Sequence, residues 1–182
     1  MSLNLPANFR VGLGYDIHKF SNSTGSSGDF PISNFNSSNR VNPPCLWLLG
    51  LEWPDYAPLK AHSDGDCAIH ALTDAILSAA NLGDIGFFMG VDEPDAKNIS
   101  GKDILIKLNK LLQDKNIELI NASVLVICQK PKISERRKDA EKVLSEILQA
   151  PISVSATTTD GLGEIGQALA VASQSVALIK YI

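Results

Sequence analysis

The stretch Phe9-Arg10-Val11-Gly12-Leu13-Gly14-Tyr15-Asp16-Ile17-His18 decides the fold. Phe9, Val11, Leu13, Tyr15 and Ile17 alternate with Arg10, Gly12, Gly14, Asp16 and His18. Period two is the repeat of a strand, whose successive side chains point to opposite faces. The spacing predicts a half-buried strand with the apolar set on one side. Asp16 and His18 then share the other side, two residues apart.

Residues 21–44 are different in kind, with seven Ser, five Asn and four apolar side chains. That composition predicts a solvent-exposed loop or mobile insertion. Leu46–Leu51 reads as a short returning strand. A helix is expected from Ser63, carrying Ala68, Ile69, Leu72, Ile76, Leu77 and Ala80 on one stripe and stopped by Gly83. A loop is expected over 87–99. Ser100 starts a second helix, with Asp103 completing a capping box. Ala122–Cys128 is almost free of polar residues and reads as a central strand. Ser134 opens a third helix. Ile152–Thr158 and Leu169–Tyr181 follow as strands, with a Gly-rich loop, Gly161–Gln167, between them. This order predicts one α+β domain over residues 1–182, a two-layer sandwich of a mixed β-sheet with helices on one face.

The whole chain has 182 residues, 45% hydrophobic and 20% charged, with a net charge of −4. These values exclude a disordered or collagen-like chain, and they lack the basic excess of a nucleic-acid binder. No apolar run reaches the ~18 residues of a membrane span, and the first ten residues lack a signal-peptide pattern. Cys45, Cys67 and Cys128 form no C-x-x-C pair, which suits reduced thiols. An anionic ligand therefore needs local features: a metal, helix starts or single Lys and Arg residues.

The chemistry-bearing residues cluster in two segments. All three histidines, His18, His62 and His70, lie in or beside Asp16-Ile17-His18 and Ala61-His62-Ser63-Asp64-Gly65-Asp66. Asp16, His18 and His70 make an Asp/His/His set, and three protein ligands with an open fourth position is the pattern of a catalytic zinc site. Asp66 or Asp74 is placed to accept the spare imidazole N–H. A structural ion-pair network accounts for the same cluster. Ala156-Thr157-Thr158-Thr159-Asp160-Gly161 suits phosphate oxygens, and equally a strand end entering a turn. Asp84-Ile85-Gly86 suits a ribose diol or a plain helix stop.

Taken in order, Gly14–His18, Ala61–Asp66, His70–Ala75, Leu82–Gly86 and Ala156–Thr159 resemble the 2-C-methyl-D-erythritol 2,4-cyclodiphosphate synthase family of the non-mevalonate isoprenoid pathway. The resemblance implies cyclisation of 4-diphosphocytidyl-2-C-methyl-D-erythritol 2-phosphate with release of CMP, a phosphorus–oxygen lyase reaction. It implies zinc on Asp16, His18 and His70, and a second divalent ion, Mg2+ or Mn2+, held with help from Asp160. His62 and Thr158 match residues that stabilise the transition state. Ser63, Thr157 and Thr159 match substrate-binding positions, Asp84, Ile85 and Gly86 the ribose contacts, and Cys128, Lys132 and Ile133 the cytidine pocket. The family is a homotrimer with sites between neighbouring subunits, and it acts on neither nucleic acid nor membrane. Its location is the bacterial cytoplasm or a plastid-type organelle. Three positions depart from the family pattern: Asp160 stands for Glu, Gln167 for Arg and Leu169 for Glu. Loss of the last two charges predicts no isoprenoid diphosphate bound in the trimer-axis channel through the usual Arg contact.

Overall fold

The computed structural model describes residues 8–21, 45–61, 63–90 and 99–182. Residues 22–44, the bulk of the expected insertion, and His62 lie outside the described residues. β1 (Phe9–Lys19) is followed by the hairpin β2 (Leu46–Leu48) and β3 (Leu51–Trp53), then α1 (Cys67–Ala79), α2 (Ile85–Met89) and α3 (Gly101–Asp114). β4 (Ile117–Ile127), α4 (Arg137–Leu148), β5 (Ile152–Thr157), α5 (Gly163–Gly166) and β6 (Ala170–Tyr181) complete the chain. The main sheet has the order β1-β6-β4-β5. β4 and β5 run parallel and the other neighbours antiparallel, so the sheet is mixed as expected.

The apolar face of β1 is not the buried one. Phe9, Val11, Leu13, Tyr15 and Ile17 are exposed, from 40% at Phe9 to 67% at Val11. The inward side holds Gly12 and Gly14, both buried, followed by the half-buried Asp16 and His18 and the buried Phe20. A Cβ on Gly14 would lie 2.0 Å from the Ala71 carbonyl oxygen, and one on Gly12 would lie 2.1 Å from that of Ala75. The glycines thus let α1 rest directly on the β1 backbone. Alternation fixed the period of the strand, and helix packing chose which phase faces inward.

α1 buries residues on every side, including Ile69, Leu72, Ile76 and Leu77, because it lies between the sheet and α3. α3 and α4 each turn one apolar stripe inward: Ile104, Leu105, Leu108 and Leu112, then Ala140, Leu144 and Leu148. The Ser100 hydroxyl accepts from the Asp103 N–H at 3.1 Å, so the expected cap of α3 is present.

Several boundaries differ from the sequence reading. α1 starts at Cys67 rather than Ser63, because Asp66 is its N-cap and accepts from the Ile69 N–H. α2 occupies the start of the expected 87–99 loop, where the Asp84 side chain caps the Phe87 N–H. Residues 91–98 lie outside the described residues. α4 begins at Arg137, after a 3-10 turn over Ile133–Glu135. β4 starts five residues early, at Ile117, with an irregularity at Leu119/Asn121 that its polar residues hid. The returning strand is a hairpin whose turn residues, Leu49 and Gly50, both have positive φ (61° and 71°).

Candidate active site

α1 runs along β1 so that its first turn meets the end of the strand. There Asp16 Oδ2 lies 2.9 Å from both His18 Nε2 and His70 Nδ1. The two ring nitrogens are 3.3 Å apart. Ligands ~2.0–2.1 Å from a tetrahedral ion are separated by about 3.3–3.4 Å, so this triangle is close to one face of such a site. Asp16, His18 and His70 are the group among the described residues whose ligand atoms converge this way.

The outer nitrogens favour the same arrangement. His18 Nδ1 lies 3.1 Å from the Lys60 carbonyl oxygen. A carbonyl only accepts, so Nδ1 carries the proton and the Nε2 lone pair faces inward. His70 Nε2 lies 3.1 Å from Ser63 Oγ, which accepts from the Gly65 N–H. With Nε2–H donating to Ser63, the Nδ1 lone pair faces inward as well. Three acceptors then point at one another, an arrangement that calls for a cation or protons between them. The residues present therefore fit a zinc-type ion.

The electrostatics agree. Burial works to raise the Asp16 carboxyl, but hydrogen bonds and charge from His18 and His70 outweigh it and hold it well below the usual carboxylate range. The bond to Asp16 raises His18, against burial.

Asp66 and Asp74 do not take the spare imidazole N–H, contrary to the sequence expectation. The fully buried Asp66 spends its oxygens on backbone N–H groups of Leu49, Gly50 and Ile69. Burial, with Asp64's charge next, pushes Asp66 up to about 6, against those three bonds. Asp74 accepts from the Ile85 N–H at 2.7 Å, which draws Asp84-Ile85-Gly86 back alongside α1. Burial raises Asp74, and the Ile85 bond opposes it. Lys60 was missed because its contribution is a backbone carbonyl, which leaves no side-chain signal.

The remaining expected residues form a second group. The Cys128 N–H donates to the Thr157 carbonyl at 3.1 Å, joining the ends of β4 and β5. The Thr159 hydroxyl donates to the Leu162 carbonyl, and the Thr158 hydroxyl accepts from the Asp160 N–H at 3.3 Å. Thr157, Thr158 and Asp160 are exposed, as is Lys132, whereas Ile133 and Cys128 are buried. Cys128 is a structural thiol: burial pushes it up to about 12, and its Sγ reaches the Pro131 carbonyl.

This group lies level with the triad but at the other edge of the sheet. The register Ile17↔Ala172, Ala172↔Ile127 and Ile127↔Thr157 runs straight across. Three strand spacings of ~4.8 Å put about 14 Å between the edges. One chain therefore carries the triad and the threonine loop at opposite edges of the same end of its sheet.

The fold is thus a mixed α+β sheet with an Asp/His/His group able to hold a metal ion at one edge and a hydroxyl-rich loop at the other. Residues 9–180 match the YgbB family, and the chain belongs to it. It is 41% identical over 170 residues to the 2-C-methyl-D-erythritol 2,4-cyclodiphosphate synthase of Acidothermus cellulolyticus, covering 93% of each chain. It is 45% identical over 135 residues to the bifunctional enzyme IspD/IspF of Clavibacter michiganensis, covering 74% of this chain and about a third (33%) of that one. The solved bifunctional IspDF of Campylobacter jejuni superposes with a TM-score of 0.77 at 32% identity, over 96% of this chain and 42% of that one. IspF of Plasmodium falciparum, solved as a CDP complex, gives 0.75 at 29% identity, over 96% and 97%. Among the described residues no helix is long and apolar enough to cross a membrane.

Proposed function

We propose that the protein is a cyclodiphosphate synthase of isoprenoid precursor biosynthesis. It converts 4-diphosphocytidyl-2-C-methyl-D-erythritol 2-phosphate to 2-C-methyl-D-erythritol 2,4-cyclodiphosphate and releases CMP. The observation that carries this reading is the convergence of Asp16 Oδ2, His18 Nε2 and His70 Nδ1 within 2.9–3.3 Å of one another.

The nucleophile in this reaction is already a phosphate anion, so the obstacle is bringing two negative groups together. At ~4 Å like charges repel by about 4 kcal/mol at an effective dielectric of 20. Asp16, His18 and His70 would hold one divalent ion and Asp160 would help hold a second, whose charge would offset this repulsion. The chain's own residues orient the substrate. Thr157, Thr158 and Thr159 lie at or just beyond the end of β5, where their hydroxyls suit phosphate oxygens. Asp84, Ile85 and Gly86 are assigned to the ribose, with the Asp84 carboxylate facing it and the Ile85 N–H held back by Asp74. Lys132 and the backbone around Cys128 and Ile133 line the cytidine position. His62 and Thr158 are assigned to the transition-state charge, and Ser63, which also holds the outer nitrogen of His70, to a substrate contact.

The working assembly in this reading is a homotrimer. Two observations support it. The triad and the threonine loop of one chain lie at opposite sheet edges, so in this reading a site is complete only where the β1 edge of one copy meets the β5 edge of the next. The exposed outer row of β1, with Val176 beside it, offers an apolar face of the kind that marks an interface.

Incubation with the substrate, zinc and magnesium, followed by phosphorus NMR, tests the proposal. A cyclic diphosphate plus CMP supports it, with turnover lost on chelation and restored by metal. A linear phosphate product would assign a phosphodiesterase instead, and full turnover in metal-stripped protein would remove the metal role.

A further inference from the structure

The motif Ser63-Asp64-Gly65-Asp66 ties two elements, α3 and the β2–β3 turn, to the first turn of α1. Ser63 reaches His70 Nε2 at 3.1 Å, and Asp64 Oδ2 accepts from the Gly101 N–H of α3 at 2.6 Å. Asp66 does more. Its Oδ1 accepts from Leu49 N–H at 3.0 Å and from Ile69 N–H at 3.1 Å, and its Oδ2 accepts from Gly50 N–H at 2.7 Å. Its carbonyl oxygen accepts from the His70 N–H at 3.0 Å. One buried residue thus binds the β2–β3 turn, the first turn of α1 and the backbone of a metal-site histidine.

The turn that Asp66 grips is itself strained. Leu49 has a φ of 61°, which an L-residue with a side chain avoids at a cost. Such a conformation persists where the surroundings over-determine it. Leu49 is fully buried, and a Cβ on Gly50 would meet Val143 of α4 at 3.3 Å and Ile69 of α1 at 3.8 Å. The hairpin turn is therefore wedged against α1 and α4, and Asp66 fastens α1 to that wedge.

We propose that Asp66 is a positioning residue of the metal centre. By holding the Leu49, Gly50 and Ile69 N–H groups at once, it fixes the rotation and height of the first turn of α1. That sets His70 Nδ1 opposite Asp16 Oδ2 and His18 Nε2. The inference rests on the metal reading above and adds a residue that touches neither metal nor substrate.

Two variants separate positioning from simple helix capping. Asp66→Asn keeps the shape but replaces one acceptor with a donor facing an N–H. Asp66→Ser keeps a hydroxyl for the Ile69 N–H and loses the reach to the hairpin. Zinc affinity is read by competition with a chromophoric chelator, and geometry by the visible absorption of the cobalt-loaded protein. Both variants are expected to lose zinc affinity by ~10–100-fold, the range found for supporting residues around metal ligands, and to shift the cobalt spectrum. A purely structural role lowers the melting temperature of Asp66→Ser and leaves its zinc affinity and cobalt spectrum at wild-type values, and that result overturns the proposal. If either variant folds only with metal, the zinc titrations of variant and wild type are both read in a stabilising osmolyte that folds the metal-free chains, and wild-type affinity there overturns it equally. A wild-type protein that binds no zinc overturns the metal reading itself, an outcome distinct from equal binding by wild type and variants.

Discussion

Gly14→Ala tests how the fold builds the site. The new Cβ would lie 2.0 Å from the Ala71 carbonyl oxygen and 2.6 Å from the Ala75 nitrogen. An ordinary contact is roughly 3.4 Å or more, so α1 must retreat by about 1.4 Å to relieve the clash. Both obstructing atoms are backbone, so no rotamer change helps. Overpacking of this kind costs ~1–3 kcal/mol, and the upper end applies here. At ~2–4 °C per kcal/mol for a chain this long, the melting temperature falls by about 6–12 °C. The same retreat carries His70 away from Asp16 and His18. Metal–ligand distances tolerate only about ±0.2 Å, so zinc affinity falls by at least the ~10–100-fold seen when supporting contacts are lost. Gly12→Ala is the control. Its Cβ would lie 2.1 Å from the Ala75 oxygen, a similar clash two residues further from the site. It is expected to lose similar stability and less metal affinity. Thermal unfolding of the metal-free proteins and chelator competition provide the two readouts. A Gly14→Ala protein with unchanged melting temperature and zinc affinity would refute the direct seating of α1 on β1 as the origin of the site.

The buried thiols make stability fall in alkali. Burial holds Cys128 up to about 12 and Cys67 well above its ordinary 9, while the unfolded chain ionises both from about 9. Above that point each thiol costs stability by up to ~1.4 kcal/mol per pH unit, so urea midpoints fall faster in wild type than in Cys67→Ala/Cys128→Ala. Equal slopes would contradict this. Complementation tests the shared site: His70→Ala and Thr158→Ala are each expected to be inactive, and mixed assemblies to recover up to about a quarter of wild-type activity. No recovery on mixing, with exchange of copies shown by mass, would place both half-sites in one chain. Leu13→Glu puts a charge on the outer face of β1 and is expected to yield monomers by light scattering with little loss of helix content. Persistence of the assembly would move the interface elsewhere. Gln167 leads us to expect no binding of an isoprenoid diphosphate by calorimetry at concentrations where Gln167→Arg binds, and equal binding by both proteins would refute it.

The sequence by itself determined the periods of the elements, the cap at Ser100 and the membership of the triad. Those signals are local: alternation, helical spacing and the rarity of histidine. They placed Asp16 and His18 on one side of β1 and His70 on the helix that follows. The tertiary structure decided three things that no local pattern contains. It chose the glycine side of β1 as the inner face, because α1 can approach only where there is no Cβ, and this left the apolar side exposed. It made Asp66 a clamp rather than an imidazole partner, because the strained turn at Leu49–Gly50 and the first turn of α1 meet only in the fold. It separated the threonine loop from the triad by the full width of the sheet. Strand order arises from pairing between segments far apart in the chain, from 30 residues between β4 and β5 to 171 between Phe9 and Lys180. That pairing puts the triad on β1 and the threonine loop after β5 at opposite edges of one sheet.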